Sequence, residues 1–123
     1  MIHLDTSFLI RALVIGSTED RRLSGWISSG EGIGMSAVAW AEFLCGPLSP
    51  SRLRVADAIV GPRVDFTGVD AVVAARLFNE CGRRRGSLPD CMIAASALGV
   101  GAQLATADEA GFRRFEAFGV RLA

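Results

Sequence analysis

Short apolar runs, each followed by a stretch with helical spacing, recur along the whole chain. Ile2 to Leu4 predicts a buried strand that stops on Asp5. Phe8, Leu9, Ala12 and Leu13 then predict a helix from Ser7 to about Leu13. Ser17 and Asp20, at capping-box spacing, open a second helix to about Ser29, with Leu23, Trp26 and Ile27 at core positions. Ile33-Gly34-Met35 is a short strand, after which Ser36 caps a helix that ends at Cys45, before Gly46-Pro47. Pro50 to Ile59 is amphipathic and is broken by Gly61-Pro62. Val64-Asp65-Phe66 predicts a further strand, and Thr67 caps a helix bearing Val69, Val72, Val73 and Leu77. Ser87-Leu88-Pro89-Asp90 reads as a capping-box variant heading a nearly all-apolar helix, Leu88 to Leu98. Ala102 to Thr106 is a strand, Thr106 and Glu109 fit another box, and Gly119 to Leu122 predicts a last strand.

This repeated strand–helix order predicts an α/β fold, a single three-layer domain over residues 1–123. The expected sheet is short and parallel, with about four to five strands and helices on both faces. Half the residues are hydrophobic and the mean hydropathy is +0.37, so little of the chain is expected to be disordered. No apolar run reaches the ~18 residues of a membrane span. Nor does the N-terminus carry the basic segment of a signal peptide, so the expected location is the cytoplasm.

Charge and cysteine content narrow the chemistry. Formal net charge is zero, which offers no global attraction to nucleic acid. All 13 basic residues are Arg, whose planar fork suits phosphate, although a codon bias toward Arg explains the same count. Cys45, Cys81 and Cys91 form no C-x-x-C pair and His3 is the only histidine, so the cysteines are read as buried or half-buried free thiols. A metal held here would be a hard cation on oxygen ligands.

Four acids stand out by position. Asp5 and Asp108 follow strands directly, Asp90 lies in the first turn of an apolar helix, and Glu42 is the only charge in its own. Trp40, Phe43 and Leu44 crowd the faces beside Glu42, which predicts a largely buried helix whose lone carboxylate needs a partner, a proton or a cation. Asp5 and Asp90 also read as ordinary helix caps, whereas Asp108 has no evident capping duty once Thr106 and Glu109 take it. In an open parallel sheet such positions can converge at the carboxyl edge. Clustered carboxylates raise one another's pKa values, an arrangement that makes sense mainly around divalent cations. One or two Mg²⁺ ions there can activate water for in-line phosphodiester displacement. The Arg83-Arg84-Arg85 triplet reads either as a phosphate contact or as a solvated helix end. His3, inside the first strand, reads as a satisfied core or edge residue.

Four segments resemble the motifs of the PIN domain: Leu4-Asp5-Thr6-Ser7, Ser36 to Glu42, Leu88 to Ala95, and Leu104 to Phe112. They span residues 4 to 112 in the family's order, and the chain is most similar to its small VapC-type toxins of bacterial toxin–antitoxin pairs. The resemblance implies a Mg²⁺- or Mn²⁺-dependent endoribonuclease. Asp5, Glu42, Asp90 and Asp108 would be its acidic catalytic and metal-binding set, with Thr6, Ser7 and Thr106 as hydrogen-bonding support. It also implies an RNA substrate, a cognate antitoxin that covers the acidic groove, and a homodimer. Glu109 is an alternative fourth acid, although the Thr-x-Asp spacing favours Asp108. Arg83, Arg84 and Arg85 are the candidate RNA-backbone contacts.

Three other readings stay open. A phospho-accepting receiver domain has acids at strand ends, but it needs a Lys and this chain has none. A non-catalytic binding module would use the carboxylates only as caps. A PIN nuclease of RNA processing would share the site without being a toxin.

Overall fold

The computed structural model describes residues 1–83 and 87–123. Its elements run β1 (Ile2–Leu4), α1 (Thr6–Ala12), α2 (Thr18–Ser28), β2 (Ile33–Ser36), α3 (Ala37–Cys45), α4 (Pro50–Ile59), β3 (Arg63–Val64), α5 (Gly68–Glu80), α6 (Leu88–Gly99), β4 (Gln103–Ala105) and α7 (Glu109–Phe112), followed by a 3₁₀ helix over Arg113–Phe118. The four strands form one parallel sheet in the order β3-β2-β1-β4. Successive strand side chains point to opposite faces. Every residue of β1 and β2 is buried, so both faces of the sheet are covered. This is the three-layer α/β architecture expected from the strand–helix alternation.

Register sets the functional edge. Leu4 lies opposite Met35 on β2 and Ala105 on β4. Asp5 and Thr106, which follow, therefore leave the sheet side by side at its carboxyl edge, next to Ser36, the last residue of β2. The Asp5 amide donates to the Ala105 carbonyl at 2.9 Å, which ties two of these exits together. Beneath them Phe8, Leu9, Met35, Leu77, Leu104 and Phe115 are fully buried in a shared core.

Several expectations change. The last strand shrinks to a single parallel bridge, Leu104 to Leu122, because the chain leaves the 3₁₀ helix through Gly119 in the left-handed region and reaches the sheet for one pairing only. Helix α3 is not largely buried. It buries only Ala39 and Phe43 fully, with Val38 and Trp40 half-buried against the core, and Leu44 and Glu42 face solvent. Cys45, on the same outer side, is exposed, while Cys81 is half-buried and Cys91 buried, all as free thiols. The reciprocal capping box forms at Thr67 and Asp70, but only half of one forms at Ser17, since Asp20 accepts from Gly16. Ser87 does not cap α6 through its side chain, because its backbone is already helical. His3 is buried, but its Nδ1 has no hydrogen-bond partner among the described residues.

Candidate active site

The elements that open at the sheet edge deliver the four acids into one cleft of ≈ 300 Å³. Asp5, Glu42, Asp90 and Asp108 all line it, with Thr6, Ser7, Ile10, Ile93 and Phe112. Each acid arrives by a different local cause. Asp5 ends β1 and caps α1, its Oδ1 accepting from the Phe8 amide at 2.8 Å. Glu42 rides on α3, which the Ser36 hydroxyl caps by accepting from the Ala39 amide. Asp90 sits in the first turn of α6, with no hydrogen bond to its carboxylate among the described residues. Asp108 caps α7 through Gly111, a duty that Thr106 and Glu109 were expected to share. Thr106 instead accepts from the Asp108 amide at 3.0 Å, and Glu109 turns outward to Arg22 and Arg113. Between the two alternative fourth acids, only Asp108 lines the cleft.

Hydroxyls brace these carboxylates. The Thr6 Oγ1–H lies between Glu42 Oε1, at 2.8 Å, and the Ala39 carbonyl, at 3.1 Å. Glu42 thus has a partner, across a helix–helix gap and not on its own helix. Ser7 Oγ donates to Asp5 Oδ1 at 2.8 Å and accepts from the Ala107 amide at 3.1 Å. It also lies 3.4 Å from Thr106 Oγ1. One serine thus stitches the end of β1 to the end of β4.

Two of the four carboxylates, Asp5 and Asp90, are shifted upward from their usual range. Burial raises the Asp5 pKa above its usual value. The Thr106 hydroxyl, the Phe8 amide and the Ser7 hydroxyl pull against that rise, and the charge of Glu42 adds to it. Asp90 is also raised, first by burial and then by Glu42, with smaller pushes from Asp5 and Asp108; Arg114 alone opposes them. The acids therefore feel one another's charge, as a shared site requires.

Could these residues hold a divalent cation? The donor set is all oxygen, open to solvent on the Glu42 and Asp108 side and buried at Asp5. It matches a hard cation such as Mg²⁺ and no thiolate- or imidazole-seeking metal. As placed, no three acidic, His or Cys side chains among the described residues cluster tightly enough to coordinate an ion. Asp5 Oδ1, Glu42 Oε1 and Asp108 Oδ1 each accept from a hydroxyl or a cap amide, which leaves the second oxygen of each carboxylate for a cation.

The arginine triplet fares differently. Arg84 and Arg85 lie outside the described residues. Arg83 is exposed, its guanidinium bonded to Asn79 at 2.8 Å and 5.7 Å from the Phe78 ring centre, and it does not line the cleft. Two residues escaped the sequence reading. Ile10 forms part of the cleft wall, and its spacing three residues beyond Ser7 on α1 could have signalled it. A Cβ on Gly111 would collide with Asp108 Oδ2, a close approach that no spacing reveals.

The PIN domain family matches residues 2–117 of this sequence. The chain belongs to the PIN-domain family. That is a family of nucleases, hydrolases of nucleic acid. No curated protein sequence matches the chain. Among solved structures, this PIN domain is similar to a chain of a toxin–antitoxin complex from Klebsiella pneumoniae, at 20% identity and a TM-score of 0.76, covering 100% of this chain and 97% of that one. It is also similar to a chain of VapBC2 from Rickettsia felis bound to a promoter DNA fragment, at 18% identity and 0.74, covering 100% and 98%. A chain of VapBC-1 from nontypeable Haemophilus influenzae matches at 19% and 0.71, covering 100% and 97%. At these identities the likeness establishes the fold. No helix among the described residues is long and apolar enough to cross a membrane.

Proposed function

We propose that this PIN domain is a Mg²⁺- or Mn²⁺-dependent endoribonuclease and the toxin of a toxin–antitoxin pair, a homodimer acting in the cytoplasm. The carrying observation is the convergence of Asp5, Glu42, Asp90 and Asp108 on one cleft, where burial and then the charge of Glu42 raise the pKa of both Asp5 and Asp90. The likeness to three toxin–antitoxin structures supports the toxin role and the expectation of an antitoxin partner.

In this reading the four carboxylates hold the cation, and Thr6, Ser7 and Thr106 fix where the carboxylate oxygens point. When bound, a divalent cation supplies charge neutralisation for the scissile phosphate and for the departing oxygen. The chain's own part is positioning. Ser7 keeps Asp5 and the β4 exit in register, Thr6 on α1 holds Glu42 across the gap to α3, and Ile10, Ile93 and Phe112 form the apolar part of the cleft wall.

The test is the thermal midpoint of antitoxin-free protein with and without Mn²⁺, for wild type and Asp90→Asn. Mn²⁺ should stabilise wild type by ordinary ligand linkage, ~2.7 kcal/mol at a hundredfold excess over Kd. Asp90→Asn should gain much less, and without metal it should be at least as stable as wild type, since one repelling charge is gone. If Mn²⁺ shifts neither protein, the nuclease reading fails.

A further inference from the structure

A second groove adjoins the acidic cleft. It has a volume of ≈ 110 Å³ and is lined by Ile10, Phe43, Gly46, Pro47, Leu48 and Arg52. Ile10 belongs to both walls, so the two spaces meet across its side chain. Apart from Arg52 the lining offers little but carbon: two aliphatic side chains, a proline ring, and the edge of a phenylalanine otherwise buried against Trp40. Arg52 is the groove's one charge, and it is exposed. Among the described residues its guanidinium makes no ion pair and no hydrogen bond. Other arginines are committed: Arg22 and Arg113 to Glu109, Arg63 to Asp57, Arg76 to Glu80, Arg83 to Asn79 and Arg121 to the Gly101 carbonyl.

We propose that this groove is a nucleotide subsite for single-stranded RNA, in which the base next to the scissile phosphate lies on Ile10, Pro47 and Leu48 while Arg52 binds the following phosphate. The proposal rests on the nuclease reading and names the part of the chain that would track the substrate outside the acidic cleft. Three properties favour RNA over other occupants. Single-stranded nucleic acid is held by a surface on which a base can lie beside a cation for the backbone; here the exposed Ile10 and Pro47 and the half-buried Leu48 offer the first and Arg52 the second. The cation is unpaired in a molecule whose net charge is zero, so it is available to an anion. The groove also continues the cleft in which the phosphodiester is expected, so one strand can occupy both.

The measurement is binding of a fluorescein-labelled mixed-sequence RNA 12-mer to the Asp90→Asn protein, in Mg²⁺, over a series of salt concentrations. Phosphate contacts carry no sequence information, so an unselected RNA reports them. Adding Arg52→Gln should weaken binding several-fold and reduce the salt slope by about 0.7, the share of one phosphate on a single strand. Arg54→Gln, exposed on the same helix but outside the groove, should leave both unchanged. Thermal midpoints of the three proteins guard against a folding effect. If Arg52→Gln binds with the same affinity and slope, the subsite is overturned while the nuclease reading stands; the groove is then left to a protein partner. If the Asp90→Asn protein binds no RNA at low salt, both are overturned.

Discussion

Ser7 and Thr6 are neighbours in sequence but carry different burdens, and their replacements should separate. Ser7→Ala removes a donor from Asp5 and an acceptor from the half-buried Ala107 amide, which is then left without a partner. The expected cost is about 1 kcal/mol, seen as a drop of a few degrees in thermal midpoint, with nuclease activity lost as well. Thr6→Val frees Glu42, an exposed carboxylate that water can solvate. Stability should hardly change while activity falls, and activity assays beside calorimetry will show whether the two effects part. The same contrast explains why sequence misjudged Glu42. Apolar neighbours at Trp40, Phe43 and Leu44 suggested burial, but only Phe43 is fully buried, Trp40 packs half-buried against the core and Leu44 is exposed, and the partner that Glu42 needed came from α1.

At the scale of elements, α7 is the piece whose placement was hardest to foresee. It has four residues, too few for periodicity to speak, and its cap is Asp108 itself. The cap conformation depends on Gly111, where any Cβ would collide with Asp108 Oδ2. Gly111→Ala should therefore push the Asp108 carboxylate out of place. The expected outcome is a loss of activity and of the Mn²⁺-induced stabilisation, with a much smaller change in metal-free stability, read by activity and thermal shift together. Longer elements were plain by contrast. Helices α2 to α6 fall close to their predicted spans because each combines apolar spacing with a local stop or start, such as Gly46-Pro47 after α3 or Thr67 before α5. The last strand failed because four apolar-leaning residues can signal a strand while only a neighbour's free edge decides how many of them pair.

For the molecule as a whole, pH should reveal the buried histidine. Burial, and then the nearby N-terminal charge, hold His3 below its usual pKa of 6.5. The unfolded chain takes up that proton at higher pH than the folded one does. The contribution to stability is thus intact above 6.5 and is lost as pH falls from 6.5 toward the lowered folded value. Thermal midpoints across that window should decline in wild type, and His3→Met should flatten the decline, because it fills the core without titrating. By itself the sequence determined the order of strands and helices, their parallel layering and the identity of the four acids, since apolar period, caps and breakers act within a few residues of chain. Only the tertiary structure decided that these acids share a cleft, that Ser7 links two strand exits, that Glu42 faces solvent and answers to Thr6, and that Arg52 stands unpaired beside a groove joined to that cleft. Those facts depend on which distant residues come within a few ångströms, and the sheet's order and register set that.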